Sequence, residues 1–286
     1  MTNSAGAWPD AVTLAVRAAR FRELHARPGA FVIPNPWDAG TARILTSLGF
    51  EALATTSAGL AFALGRPDGQ GAVSRDETLA NARAIVEATN LPVAADLENG
   101  FADAPEGVAE TIRLAAGVGL VGGSIEDATG DADRPIYDFE LAVERVAAAA
   151  EAAHALPFPF MLAGRAENFL HGRPDLDDTI RRLRAYERAG ADLLYAPGLP
   201  SLEAIRTVCA SVSKPVNVLL GGGGPGVTVA DLTAAGAKRI SLGSLLSRAA
   251  LGGFVAAARE VLDHGSTEFV RTAMPYGEAQ KLMADR

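Results

Sequence analysis

The chain has 286 residues, close to half of them apolar and about a fifth charged, and a formal charge of −8. That composition fits a globular protein with a sizeable core, and an acidic balance with no Lys/Arg-rich face excludes a nucleic-acid binder. One cysteine, Cys209, excludes a disulfide framework and a cysteine metal cluster, and with no signal peptide or long uncharged apolar run the expectation is a cytoplasmic protein without membrane contact.

Residues 1–9 show little periodicity and are expected to form a loose tail. Over 10–25, Val12, Val16, Ala19 and Leu24 recur at roughly helical spacing, predicting a leading helix that ends before Pro28. A unit then repeats to the end: a short β-branched or apolar run, a break, and an amphipathic helix. Strands are predicted near 31–35, 51–56, 92–97, 120–126, 159–164, 191–196, 215–220 and 238–242. Helices are predicted near 38–48, 75–89, 105–116, 138–155, 175–189, 201–211, 228–235 and 246–263. Glycines in breaks such as A-G-A-D and L-G-F end the preceding helices.

Eight such units predict parallel strands joined by right-handed crossovers and closed into a (β/α)8 TIM-type barrel. It is expected as one domain over 1–286, with an extra N-terminal helix and a C-terminal helical extension at 264–286. An open doubly wound sheet competes, but eight units without a dinucleotide fingerprint weigh against it. A barrel does not need 264–286 to close, so that segment either packs on a neighbouring subunit or lies as a simple surface helix.

The stretch V-A-A-D-L-E-N-G at 93–100 feeds an apolar run into Asp96 and Glu98. Residues two apart on a strand point the same way, so both carboxylates are expected to leave its last rungs together. They repel unless a cation sits between them, and a hard divalent ion such as Mg²⁺ takes oxygen ligands. The plain alternative is one acid capping the next helix and the other merely solvated.

Chemistry in such barrels sits at the C-terminal strand ends. There the sequence offers Ser57, Ala58, Gly59, Leu60 and Asp68 after strand two, in a connection longer than usual, and Asp96 and Glu98 after strand three. Strand four ends in Glu126 and Asp127 before a polar loop at 128–137, strand five in Arg165, with Glu167 and Asn168 after it, and strand seven contains Asn217. These suggest a cation bound directly by Asp96, with Glu98, Glu126 and Asp68 holding its waters. Arg165 would pair a carboxylate of a 2-oxo acid in a charge-assisted fork, and backbone N–H groups at 57–60 would add donors. The plain alternative for Arg165 is a structural ion pair with Glu126 or Glu167. A cation at the carbonyl oxygen would stabilise the enolate left when the adjacent bond breaks.

A Schiff-base lysine is disfavoured: Lys214 and Lys238 precede strands seven and eight, at the wrong end of the barrel, and Lys281 lies in the tail. The glycines at 221–224, with Ser244, could bind phosphate, or form only a turn. His171 is read as an exposed loop histidine rather than an acid or base, and Cys209 as core.

Taken together, N-P-W-D-A-G (35–40), T-T-S-A-G-L (55–60), G-R-P-D-G (65–69), A-D-L-E-N-G-F (95–101), I-E-D (125–127) and G-R-A-E-N-F (164–169) make the sequence resemble the isocitrate lyase/phosphoenolpyruvate mutase superfamily over about 20–260. The resemblance implies a barrel dependent on Mg²⁺ or Mn²⁺, acting on small anionic 2-oxo or 2-hydroxy acids through an enolate-like intermediate. It further implies a homotetramer, a dimer of dimers with exchanged C-terminal helices. By position, Asp96 matches the direct metal ligand and Asp68, Glu98 and Glu126 the water-mediated shell. Ser57, Gly59 and Leu60 match the donors to substrate, Trp37 the pocket wall and Arg165 the substrate clamp.

The departures narrow the chemistry. The K-[KR]-C-G-H loop of isocitrate and methylisocitrate lyases does not occur, the loop at 128–137 lacks the lysine and asparagine of the mutases, and Tyr195-Ala196-Pro197-Gly198 stands where mutases place a histidine. What remains is decarboxylation or retro-aldol cleavage of an oxaloacetate-like acid, a carbon–carbon lyase reaction. Tyr195, Glu126, Glu167 and a water held by the cation all stay open as proton donor or acceptor. Alternatives are a phosphonate enzyme of the same superfamily (phosphoenolpyruvate or carboxyphosphonoenolpyruvate mutase, or phosphonopyruvate hydrolase) and a barrel that binds a 2-oxo acid without turning it over.

Overall fold

The computed structural model describes residues 10–284; the tail expected at 1–9 lies outside them. Eight parallel strands run β1 (Phe31–Ile33), β2 (Leu53–Ala54), β3 (Val93–Asp96), β4 (Gly122–Glu126), β5 (Met161–Arg165), β6 (Leu193–Tyr195), β7 (Val216–Leu219) and β8 (Arg239–Ser241). Their order in the sheet is β1-β8-β7-β6-β5-β4-β3-β2. The two ends of that sheet meet: the Ala54 N–H donates to the Pro34 carbonyl at 3.1 Å, and Asn35 Nδ2 donates to the Thr55 carbonyl at 2.9 Å. The result is a nearly closed (β/α)8 barrel.

The helices are α1 (Ala11–Ala26), α2 (Ala39–Ser47), α3 (Ser57–Ala63), α4 (Arg75–Glu87), α5 (Pro105–Gly117), α6 (Phe139–His154), α7 (Leu176–Arg188), α8 (Leu202–Ser211), α9 (Val229–Ala234), α10 (Leu245–His264) and α11 (Tyr276–Met283). Local chemistry sets their starts: Asp38 with Thr41, Ser74 with Glu77 and Thr228 with Asp231 form reciprocal caps, and Pro105 opens α5. Alternate strand residues and the inward stripes of α2 and α4–α9 form the main core, with Leu53, Ile85, Leu97, Ile112, Leu162 and Leu183 fully enclosed.

A second cluster closes the N-terminal end of the barrel, where α1 inserts Phe21 among Phe31, Ile33, Ala94 and Met161. Gly122 makes this possible, because a Cβ there would lie 2.9 Å from the Phe21 ring. Of the apolar positions whose spacing predicted α1, only Leu24 turns in. Val12 and Val16 are 72% and 63% exposed and Ala19 also faces out, while Ala18, Phe21, Leu24 and His25 are buried. The plug needs the ring of Phe21, and that choice fixes which side of the helix turns in.

Every predicted strand and helix is present, the strands shortened by one to four residues. The long connection after β2 holds an extra seven-residue helix, α3, which short-range periodicity did not reveal. At the C-terminus, Arg43 of α2 donates to the carbonyls of Met283 and Ala284 at 3.0 and 3.3 Å, so α11 packs on its own chain. It is α10 that stands clear: only Ser247 is buried, and Phe254 and Leu262 are 71% and 84% exposed.

Candidate active site

The predicted acids gather at the C-terminal mouth, but not by strand alternation. β3 stops at Asp96, and Glu98 sits in a turn at φ 48°, followed by Gly100 at 77° and Phe101 at 58°. Two non-glycine residues in the left-handed region within four positions mark a backbone held against its preference. The turn sends the two carboxylates to different sides. Asp96 faces an inner cavity of about 170 Å³ that runs down the barrel axis, and Glu98, with Glu126, faces an outer cleft of about 700 Å³ between the loops after β2, β3 and β4.

Arg165, at the end of β5 and pairing in register with Glu126, joins these acids. Its Nη1 lies 3.1 Å from Glu126 Oε2 and 3.6 Å from Asp96 Oδ1, and its Nε donates to Glu167. The structural ion pairs considered for this arginine therefore exist, with Glu126 and Glu167 together. Ser57 Oγ donates to Asp96 Oδ2 at 3.0 Å and holds that carboxylate, and the Asp96 N–H donates to Thr55 Oγ1 at 3.1 Å and holds the backbone beneath it. Asp68 stands on an exposed loop, yet its carboxyl turns into the inner cavity.

Charge here is out of balance. Asp68, Asp96, Glu98, Glu126 and Glu167 all act on, or feel, the one guanidinium of Arg165. Burial, with Asp96 and Asp68 adding repulsion, pushes Glu98 up to about 7. Burial likewise raises Glu126, Glu167 and Asp68, and the arginine only partly offsets it.

Residues farther out hold this geometry. Arg145 of α6, 1% exposed, donates to the backbone carbonyls of Asn99, Ala102 and Asp103, pinning the strained turn, and its guanidinium lies 4.0 Å from the Tyr137 ring centre. The Tyr137 hydroxyl donates to Asp103 Oδ1 at 2.5 Å, and Asn99 Nδ2 approaches it at 3.3 Å. The loop at 128–137 is thereby folded back, with an antiparallel bridge between Ala128 and Ile136. Asp127 points inward instead of to the mouth: it accepts from Arg182 at 3.0 Å, the Tyr186 hydroxyl at 2.6 Å and the Glu167 N–H at 2.8 Å. This buried cluster ties β4 to the start of the β5–α7 loop that carries Glu167.

Deeper in the barrel lies a polar wall that the motif reading passed over, apart from Asn217 and Tyr195. Tyr195 is buried, its ring 5.1 Å from the Arg165 guanidinium, and burial pushes its hydroxyl up to about 12, so it keeps its proton at neutral pH. Ser241 stands beside that hydroxyl. Asn217 Nδ2 donates to Ser241 Oγ at 3.0 Å, and Arg239 Nε donates to Asn217 Oδ1 at 2.8 Å. Arg239 was legible in principle: within R-I-S, alternation puts residues 239 and 241 on the same face of β8. Asn35 works at the rim, its Oδ1 accepting from the N–H groups of Leu242 and Gly243 and so joining β1 to the end of β8.

Several candidates fall outside. Trp37 lines a separate apolar groove with Phe62, Leu251 and Phe254, between α3 and α10, and not the inner cavity. The Gly59 and Leu60 N–H groups are bonded to Thr56 Oγ1 and to the Thr56 carbonyl, because Thr56 caps α3. Ser57 and Ala58, which line the inner cavity, precede that ladder. Among the glycines at 221–224, the N–H groups of Gly222 and Gly223 bond the Leu219 and Leu199 carbonyls, the turn reading. His171 Nε2 lies 3.7 Å from Glu167 and borders the outer cleft. No lysine lines either cavity among the described residues; Lys238 Nζ is bonded to the Arg27 and Gly29 carbonyls at the opposite end. Burial pushes the Cys209 thiol up to about 11.

Among the described residues, no three His, Cys, Asp or Glu side chains stand close enough to ligate one ion directly. The arrangement suits a single direct carboxylate with the others reaching through water, and the undercompensated negative charge fits an oxygen-seeking divalent cation.

The model of the phosphoenolpyruvate phosphomutase family matches residues 21–262. A solved structure from Burkholderia cenocepacia J2315, provisionally described as a lyase/mutase, is 56% identical, covers 96% of this chain and 98% of its own, and superposes with a TM-score of 0.93. Among sequence relatives, the 2,3-dimethylmalate lyase of Eubacterium barkeri is 31% identical, with 77% of each chain covered. The oxaloacetate decarboxylase of Bradyrhizobium diazoefficiens is 30% identical, with 79% of this chain and 78% of its own covered.

Proposed function

The chain belongs to the phosphoenolpyruvate phosphomutase family, within a superfamily of lyases and mutases, and from that premise we propose that it is a Mg²⁺-dependent carbon–carbon lyase. Its substrate is a small 2-oxo or 2-hydroxy dicarboxylic acid of the oxaloacetate or substituted-malate type. The observation that carries this reading is Arg165 set 3.6 Å from Asp96 and 3.1 Å from Glu126 at the mouth of a cavity, with no lysine lining it among the described residues. An imine mechanism has no amine there. An acid-rich mouth with one guanidinium suits a cation and a carboxylate.

When bound, the divalent ion supplies Lewis-acid stabilisation of the negative charge that builds on the substrate carbonyl oxygen as the adjacent carbon–carbon bond breaks. Asp96 is the residue to hold it, with Asp68, Glu98 and Glu126 reaching it through water. Arg165 orients the substrate carboxylate, and the N–H groups of Ser57 and Ala58 add donors at the same rim. Tyr195, protonated at neutral pH and facing the inner cavity, is the group to deliver a proton to the carbon left by cleavage. The folded-back 128–137 loop borders the outer cleft through Ala128, Thr129 and Gly130. The exposed apolar residues of α10 support assembly into a homo-oligomer.

Purified protein with Mg²⁺ should release CO2 from oxaloacetate, or pyruvate or another 2-oxo acid from a substituted malate. Asp96→Ala should abolish turnover while the thermal midpoint stays put, and full turnover by that variant overturns the assignment. Conversion of phosphonopyruvate, followed by phosphorus NMR, would move the reading to phosphonate chemistry. Stabilisation by Mg²⁺ with a 2-oxo acid, but no product, would leave a binding protein.

A further inference from the structure

Arg239 sits at the start of β8, 7% exposed, at the floor of the cavity that opens at Asp96 and Arg165. Its Nε is satisfied by the amide of Asn217, a neutral partner. Among the described residues no carboxylate lies within ion-pairing distance, and Tyr195 is the one acidic group that acts on it. Burial pulls its pKa down to about 10, as expected for an enclosed cation lacking a counter-ion. The buried imidazole of His25, which feels the charge of Arg239, is neutral: its Nδ1 contacts the Phe21 carbonyl at 2.8 Å, and burial, with Arg239 adding repulsion, holds its pKa near 3.

A lone buried guanidinium costs folding energy that a barrel filled by branched apolar side chains avoids. Here the space is kept open. Ala54, Ala94, Gly123 and Ser124 line the shaft between rim and floor, and Arg239 lines it with them. We propose that Arg239, with Asn217 and Ser241, forms an anion subsite at the barrel floor that receives the second carboxylate of the substrate. Assigning the anion to the substrate rests on the lyase reading; the subsite itself rests on the cation and the cavity, and a free small anion shares its chemistry.

The test is calorimetric titration in Mg²⁺ with three probes. 2-Oxoglutarate and 2-oxopentanoate share the metal-binding end and differ in the distal carboxylate, whereas oxalate is too short to reach the floor. Wild type should bind 2-oxoglutarate at least about tenfold tighter than 2-oxopentanoate, the worth of one charge-assisted contact. Arg239→Gln should erase that preference while leaving oxalate affinity within about threefold. Asn217→Asp should erase it too, by giving Arg239 an internal carboxylate, and should raise the thermal midpoint, so a failure of the first variant to fold does not decide the matter. A preference that survives both substitutions overturns the subsite.

If wild type shows no preference, or binds none of the three acids, thermal unfolding in chloride against gluconate at equal ionic strength decides. Stabilisation by chloride that vanishes in both variants assigns the floor to a free anion. No such difference overturns the subsite, while failure of all three acids, oxalate included, counts against the lyase reading separately.

Discussion

At the mouth, where the inner cavity and the outer cleft adjoin, five carboxylates share the guanidinium of Arg165; at the floor of the inner cavity the guanidinium of Arg239 has an amide and nearby hydroxyls, but among the described residues no carboxylate. The two ends of one shaft are unbalanced in opposite senses. Buried charge is tolerated when something answers it, so the rim calls for a cation and the floor for an anion. A third buried charge cluster shows what balance looks like: Asp127, enclosed by Arg182, Tyr186 and the Glu167 N–H, has its partners within the fold and lines neither the inner cavity nor the outer cleft. Imbalance, and not burial alone, separates groups kept for a ligand from groups kept for the structure.

The sharpest way to break this contrast is Asp96→Ala. Loss of the direct cation ligand should lower kcat by roughly 10³-fold or more with oxaloacetate or the substituted malate that wild type turns over, and turnover within about tenfold of wild type would remove the rim from the chemistry. Asp127→Ala probes the balanced cluster. Stripping Asp127 should cost about 3–5 kcal/mol in urea unfolding, because the buried Tyr186 hydroxyl and the Glu167 N–H lose their acceptor and Arg182 keeps only its pair with Asp178 at the edge of the cluster. A cost below about 1 kcal/mol, the range of surface pairs, would mean that the cluster is not structural.

Arg165→Lys keeps the rim charge but loses the planar fork, and should lower kcat/KM by about 10²-fold. An unchanged value would make Arg165 only a spacer between Glu126 and Glu167. The smallest effect concerns the floor. His25 has a folded pKa near 3, below the ordinary 6.5, so between those values the unfolded chain takes up a proton that the folded chain refuses. Its contribution is therefore complete above pH 6.5 and drains away as pH falls toward 3, by roughly 1–2 kcal/mol over the window once partial opening is allowed for. His25→Phe should flatten that part of the stability curve, and an unchanged slope would show that this imidazole charges freely.

The barrel was legible because eight apolar runs, each followed by a helical period, leave few other topologies, and β/α caps such as Ser74 with Glu77 mark their own boundaries. The acids and Arg165 were legible because strand ends name the mouth. What was not legible depends on three-dimensional choices. Alternation suggested that Asp96 and Glu98 share a face, but a left-handed turn pinned by Arg145, some 46 residues from Asn99 in sequence, sends them to different cavities. Periodicity predicted the leading helix but not which side of α1 turns in; Val12 and Val16 face out, and the barrel end accepts Phe21. Arg239 went unread because motif reasoning looks to strand ends and this residue begins its strand.

The most direct measurement is a crystal structure of the protein with Mg²⁺ and oxalate. The rim imbalance predicts the ion on Asp96, with Asp68, Glu98 and Glu126 reaching it through water, and the oxalate between the ion and Arg165. An ion bound elsewhere, or oxalate seated away from Arg165 with Asp96 untouched, would contradict it.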